Sequence, residues 1–262
     1  MDSQPVSWIN PKGPPVLTTG QIHLWRASLD LPYKTIQRLE DLLSQEEIDH
    51  AQKFHYKKDQ VHFVTAHGML RTILGHYLQT PASEIRYAFN RYGKPHLKNN
   101  LPGHNVKFNL SHSGNLALIA VTLDREIGVD LEHILPKLCD LQIADRFFAP
   151  REVGVLQEMD PQERQVAFFK FWTCKEAYIK ARGEGLSIAL DAFEVSFTPG
   201  VSFVQLEVHE NPIESWRWSL ISISLGSEYM GALAVEDGDL KLSCFEWDPK
   251  LIVEDRPQEV IT

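Results

Sequence analysis

The chain has 262 residues, 43% of them hydrophobic and 10% aromatic, with a formal net charge of −9. That composition supports a packed core in one large or two small domains and excludes wholesale disorder. The acidic balance argues against nucleic-acid binding, and an odd set of three cysteines with no C-x-x-C pair indicates a reduced, cytoplasmic protein rather than a disulfide framework.

Met1 to Pro5 lacks a basic region followed by an apolar run, so no signal peptide is expected. Residues 5–20 are rich in Pro, Gly and Thr and read as an irregular lead-in. Gln21 to Leu29 alternates apolar and polar residues, a strand pattern. Ser44-x-x-Glu47 is a capping box that opens a helix, and a long apolar-periodic helix is predicted over Lys58 to Leu78. Ile85 to Phe89 reads as a strand, and Arg91-Tyr92-Gly93-Lys94-Pro95 as a turn broken by Gly and Pro. Val106 to Ser111 and Leu116 to Thr122 form a predicted hairpin through Ser113-Gly114-Asn115. The longest apolar run, Leu116 to Val121, is far too short to cross a bilayer, so no membrane association is expected.

The second half repeats this order. Asp160-Pro161-x-Glu163 supplies an N-cap, a first-turn proline and an acidic third residue, and the helix it opens is predicted to end at Arg182 before Gly183. Strands are predicted at Phe193–Phe197, Ser202–Val208, Trp216–Ser222 and Met230–Val235, and a polar, loosely ordered tail after Pro249. Lys107 to Val121 and Leu220 to Val235 share the pattern strand, small polar turn, strand ending in Ala-Val. Each half is thus a long helix plus antiparallel strands: a duplicated α+β unit, divided as 1–124 and 125–262.

Charge is asymmetric between the halves. Residues 1–124 hold 13 Lys+Arg and 10 Asp+Glu, whereas residues 125–262 hold 13 and 25; nine of the 11 histidines lie in the first half. Taken alone, chance asymmetry of two solvated surfaces accounts for this more readily than a shared phosphate-rich ligand does.

Two stretches carry the chemistry. On the strand Ile127-Gly128-Val129-Asp130-Leu131-Glu132, the carboxylates of Asp130 and Glu132 share a face because alternate strand residues do. An acidic strand edge commonly just faces water; a second reading is a hard cation, since adjacent carboxylates repel without one. On the helix through Phe171 to Gly183, Glu176 and Lys180 stand at i and i+4, the spacing of an ordinary surface salt bridge. Here, however, they continue the stripe Phe169, Trp172, Thr173, which favours a cleft. Lys175 lies off that face. Ser111-His112-Ser113 at a strand end suits a polar turn, a phosphate contact or, on paper, a nucleophilic pair, although no G-x-S-x-G elbow surrounds it. No P-loop, G-x-G-x-x-G or zinc-spaced cluster occurs.

Gly128-Val129-Asp130-Leu131-Glu132 and Trp172-Thr173-Cys174-Lys175-Glu176-Ala177-Tyr178-Ile179-Lys180-Ala181-x-Gly183-x-Gly185-Leu186 resemble the two signature motifs of 4′-phosphopantetheinyl transferases. Arg91 to Pro95 and Phe108-Asn109-Leu110-Ser111-His112-Ser113 match in the right order, so the resemblance spans about residues 45–210, in the surfactin-type branch. It implies a monomer with a pseudo-twofold pair of similar subdomains, each a long helix on a small antiparallel sheet. It implies transfer of the 4′-phosphopantetheine arm of coenzyme A to a serine of an apo acyl, peptidyl or polyketide carrier protein, releasing adenosine 3′,5′-bisphosphate. By the same resemblance, Asp130, Glu132 and Glu176 would hold Mg²⁺, with Mn²⁺ as the alternative. Lys180 would contact the attacked phosphate, and Lys53, Lys94, Ser111 and His112 the adenosine phosphates, with His50, Lys57 and Arg71 as weaker candidates. Glu176, or a water beside the metal, would be the base. Leu186, Ile188, Leu190 and Phe193 would offer the carrier an apolar patch, unless they are simply core. A nucleotide pyrophosphatase and a non-catalytic coenzyme A binder are the competing readings.

Overall fold

The computed structural model describes residues 6–252 except positions 12, 14, 136–138, 140, 199 and 238–240 and the side chain of Leu186. Two sheets carry the fold. In the first, β1 (Gln21–Ser28) lies antiparallel to β5 (Leu116–Leu123), which pairs in turn with β4 (Val106–Ser113). In the second, β6 (Ile127–His133), β10 (Tyr229–Glu236), β9 (Trp218–Ser224), β8 (Phe203–Val208) and β7 (Phe193–Phe197) form one antiparallel array. A short hairpin, β2 (Tyr87–Phe89) with β3 (Pro95–Leu97), stands apart.

Each sheet is covered by one 22-residue helix, α3 (Lys57–Leu78) on the first and α6 (Pro161–Arg182) on the second. Met69, Ile73 and Leu74 of α3 pack on Trp25, Phe108, Ile119 and Val121. Phe168, Cys174, Tyr178 and Ile179 of α6 pack on Phe193, Leu220, Ala232 and Ala234. Strand alternation sends the remaining apolar residues to the opposite faces. Leu24, Leu118 and Ala120 of the first sheet meet Val129, Leu131, Ile221 and Leu233 of the second in a core shared by both halves. The order is helix, sheet, sheet, helix, and the fold is mixed α+β with two similar halves.

The ends of α6 follow its sequence signals. Asp160 accepts from the backbone N–H groups of Gln162 and Glu163, Pro161 opens the first turn, and Gly183 closes the helix at φ 68°. The Ser44 capping box opens α2 (Gln45–Ala51). Among the described residues, four α-helices lie beyond the predicted elements: α1 (Tyr33–Glu40), α4 (Leu141–Phe147), α5 (Pro150–Glu158) and α7 (Pro212–Arg217). Trp216, read as the start of a strand, belongs to α7, because Pro212 sets a helical first turn and the strand begins at Trp218.

The last strand among the described residues, β11 (Lys241–Glu246), leaves the second half and pairs in parallel with β1 of the first sheet. The chain remains packed beyond Pro249: Leu251 and Ile252 are buried in the α3 core, and their carbonyls accept from His76 and Arg38. The predicted tail from 253 onward lies outside the described residues.

Candidate active site

The site lies where the two sheets meet edge to edge. β4 ends the first sheet and β6 ends the second. Side chains bridge them where a backbone ladder would otherwise run. Asn109 Oδ1 accepts from the Val129 N–H at 2.8 Å, Ser111 Oγ donates to Asp130 at 3.1 Å, and Ser113 Oγ donates to Glu132 at 3.0 Å. The same Ser113 hydroxyl accepts from the His133 N–H at 3.0 Å. The near-constant offset shows that the two edges run in the same direction, with one face of β4 matched to one face of β6.

Gly128 brings α6 onto that face. A Cβ there would stand 2.2 Å from the Ala177 carbonyl oxygen and 2.3 Å from the Ala181 nitrogen, so only glycine admits the helix. The close approach carries Glu176 and Lys180 over Asp130 and Glu132. Lys180 Nζ donates to Asp130 Oδ1 at 2.5 Å and to Ser111 Oγ at 3.0 Å. Asp130 is 3% exposed, and its second oxygen, Oδ2, is buried without a hydrogen-bond partner among the described residues.

The electrostatics follow from one ammonium among three carboxylates. Burial, then the charge of Asp130, pushes the Glu132 carboxyl up to about 7. Burial and the same neighbour also raise Glu176. His112 projects from the other face of β4. Burial, followed by His67, His62 and Lys180, pushes its imidazole down to about 4, so it is neutral at physiological pH. His62 and His67 come from α3 and pair with Asp30 and Glu47, each at 3.5 Å.

Of the residues singled out in the sequence, Asp130, Glu132, Glu176, Lys180 and Ser111 are brought together, with His112 beside them. Lys53 is exposed on the turn after α2. Lys94 is committed elsewhere. Its ammonium donates to Glu126 at 2.8 Å, the Ala181 carbonyl at 2.8 Å and the Ile127 carbonyl at 3.2 Å, capping the C-terminal end of α6. Arg71 is a structural cation, 1% exposed and paired with Glu47 at 2.6 Å, which removes it from the phosphate candidates. The suggested carrier patch is corrected in the same way. Leu190 and Phe193 are 6% and 1% exposed and Ile188 packs beside them, so they are core; the Leu186 side chain lies outside the described residues. Asn109 was missed, and Ser113 was weighed only as part of the Ser111-His112-Ser113 strand end, although strand period 2 from Ser111 already places both on its face.

Among the described residues, no three His, Cys, Asp or Glu side chains stand as a ready metal cluster. The Lys180 ammonium occupies the cation position on Asp130 Oδ1. The donor set nevertheless fits a hard divalent ion: the ligands are carboxylates, Asp130 Oδ2 is buried and unpartnered, and the pocket's negative charge exceeds what one lysine balances.

No helix of the described residues is long and apolar enough to cross a membrane. Residues 126–234 match the 4′-phosphopantetheinyl transferase superfamily and residues 25–124 the N-terminal region of 4′-phosphopantetheinyl transferases. The 4′-phosphopantetheinyl transferase HetI of Nostoc sp. (strain PCC 7120) is 37% identical over 246 residues, 93% of this chain and 97% of that one. The 4′-phosphopantetheinyl transferase Sfp of Bacillus subtilis (strain 168) is 33% identical over 159 residues, 61% of this chain and 68% of that one. The crystal structure of Helicobacter pylori holo-[acyl-carrier-protein] synthase in complex with coenzyme A overlaps 42% of this chain and 99% of that chain, with 19% identity and a TM-score of 0.34. Near-complete coverage of a relative at this identity, with the carboxylates, serine and lysine meeting on one seam, means that the chain belongs to the 4′-phosphopantetheinyl transferase family and is an enzyme of that activity.

Proposed function

We propose that this transferase moves the 4′-phosphopantetheine arm of coenzyme A to a serine hydroxyl of an apo acyl, peptidyl or polyketide carrier protein, and releases adenosine 3′,5′-bisphosphate. The observation that carries this reading is the meeting of Lys180 Nζ, Ser111 Oγ and Asp130 Oδ1 within 3.1 Å, beside an unpartnered Asp130 Oδ2. A donor pair next to a pocket of surplus negative charge suits a diphosphate bridged by a cation.

Asp130, Glu132 and Glu176 would hold Mg²⁺ or Mn²⁺. The bound ion would neutralise charge on the diphosphate. In this reading the Lys180 ammonium turns from Asp130 to the attacked phosphate, which frees Oδ1 as a ligand. Ser111 then donates to a phosphoryl oxygen. His112, with exposed Lys53, receives the adenosine phosphates. Glu176, or a water beside the metal, takes the proton of the carrier serine. Because phosphoryl transfer depends chiefly on positioning and charge compensation, these residues need form no covalent intermediate. The enzyme acts as a cytoplasmic monomer, since one chain already contains both halves of the site.

The test is mass spectrometry of an apo carrier protein incubated with coenzyme A, Mg²⁺ and enzyme. The carrier gains the mass of the arm with the native enzyme and not with Glu176→Gln, whose fold is unchanged by circular dichroism. No gain across several unrelated carriers, or native rates for Glu176→Gln, would overturn the reading.

A further inference from the structure

A cavity of about 850 Å³ opens on the second half between α5, the N-terminal part of α6 and strands β7 to β10. Its size is that of a small-molecule site. Phe171, Val195 and Met230 are buried in its wall, with half-buried Phe197 beside them. None of these residues belongs to the carboxylate seam, although Met230 is the register partner of Glu132 on the neighbouring strand.

Lys170 makes this cavity unusual. It lines the wall, is 8% exposed, and its ammonium lies 4.2 Å from the Phe197 ring centroid. No carboxylate or carbonyl among the described residues accepts from it. Lys175, five residues along the same helix, shows the ordinary arrangement: its ammonium is spent on Glu152 at 2.7 Å and on two carbonyls. The stem of Lys170 is packed in the wall while its ammonium opens into the cavity, where an anion would complete what the aromatic face begins. Burial accordingly lowers the proton affinity of Lys170. Of the other charges that line the cavity, one exposed arginine, Arg151, is shared between Glu194 at 3.5 Å and Glu207 at 3.9 Å, and Glu152 holds Lys175. Glu163, at the start of α6, is exposed.

We propose that this cavity is a binding site for an apolar carboxylic acid. Its carboxylate is received by Lys170, and its hydrocarbon lies between Phe171, Val195, Phe197 and Met230. A carboxylate supplies the missing acceptor for the ammonium, and the tail covers apolar wall otherwise left to water. A cationic or purely polar ligand would leave either the lysine or the wall uncompensated. The site does not depend on the transfer reaction, so its test stands or falls separately from the reading above.

The probe is dodecanoate, titrated calorimetrically below its micelle concentration into the full-length enzyme without coenzyme A. The wild type is expected to show one saturable site, and Lys170→Met to bind at least about tenfold more weakly, the scale of one charge-assisted hydrogen bond. Dodecanol, which lacks the charge, is expected to bind both proteins alike. Val166→Trp, at the exposed mouth, leaves Lys170 in place and is expected to block dodecanoate. Absence of saturable binding to the wild type overturns the proposal, as does equal affinity of folded Lys170→Met. Should Lys170→Met not fold, undiminished dodecanoate binding by Val166→Trp overturns it and a blocked site sustains it.

Discussion

Gly128 and Ala177 stand so close that a single methyl group on the glycine would lie 2.2 Å from the alanine carbonyl oxygen. The obstacle is helix backbone, which cannot rotate away as a side chain does. Gly128→Ala should therefore destabilise the protein by about 1–3 kcal/mol or more by overpacking. It should also reduce transfer further than the stability loss explains, because α6 carries Glu176 and Lys180. Urea unfolding and steady-state kinetics on the folded fraction check both.

The pair Lys175 and Glu152 predicts a strongly unequal mutant cycle. Both are buried, at 0% and 2% exposure, and the glutamate also accepts from the Ala149 and Val195 N–H groups. Removing either partner alone strands a buried charge, and Lys175→Met should lose about 3–5 kcal/mol. The double variant Glu152→Gln/Lys175→Met should be less destabilised than the sum of the singles. Thermal and urea unfolding of the four proteins decide it.

Glu132 should make the metal-free protein less stable as pH rises. Its proton is bound more tightly in the folded protein, so its contribution is complete below the ordinary value of 4.5 and is lost as pH passes through about 7. Melting temperature should fall between pH 5 and pH 8 in the wild type, and fall less in Glu132→Gln. Mg²⁺ should reverse the loss at pH 8 and do little at pH 5. Melting curves unaffected by the glutamine replacement would show that Glu132 is not the titrating group.

His112 should take up a proton when an anion arrives. Burial, followed by its neighbours His67, His62 and Lys180, holds it neutral, at about 4. A phosphate beside it would offset that repulsion. Binding of adenosine 3′,5′-bisphosphate at pH 6.5 should therefore draw protons from the buffer. Calorimetry in buffers of different ionisation enthalpy measures this, and the uptake should vanish in His112→Ala.

Lys94 is expected to act through α6. Lys94→Met removes three donated hydrogen bonds at the joint between the halves and should lower stability by about 1–3 kcal/mol. Asn90, which donates to the Gly183 carbonyl at 2.6 Å, shares this task. Faster amide hydrogen exchange around Ala181 to Gly185 is the expected signature, with the Asp130 end of the seam less affected.

What the sequence made legible had local causes. α6 could be bounded from Asp160, Pro161 and Gly183 alone, and strand alternation already put Asp130 and Glu132 on one face. The roles of Lys94, Arg71 and Lys170 were not visible, because each depends on what lies across from it in space. Glu126, Glu47 and Phe197 are distant in the chain, and nothing in the spacing announces them. β11 was hidden for the same reason: Lys241 to Glu246 finds its partner in β1, so no nearby turn marks it as a strand.

That last pairing has a consequence for biosynthesis. Arg26 forms its ion pair with Glu246, 220 positions later. While the ribosome is still making the second half, β1 presents one bare edge, and an exposed strand edge invites pairing with other chains. The first half is therefore completed last, although it is made first, and its closure involves a very long-range contact of the kind that slows folding. Expression of residues 1–124 alone would preserve that open state. The molecule is duplicated in pattern but is fastened as a single unit by its final strand.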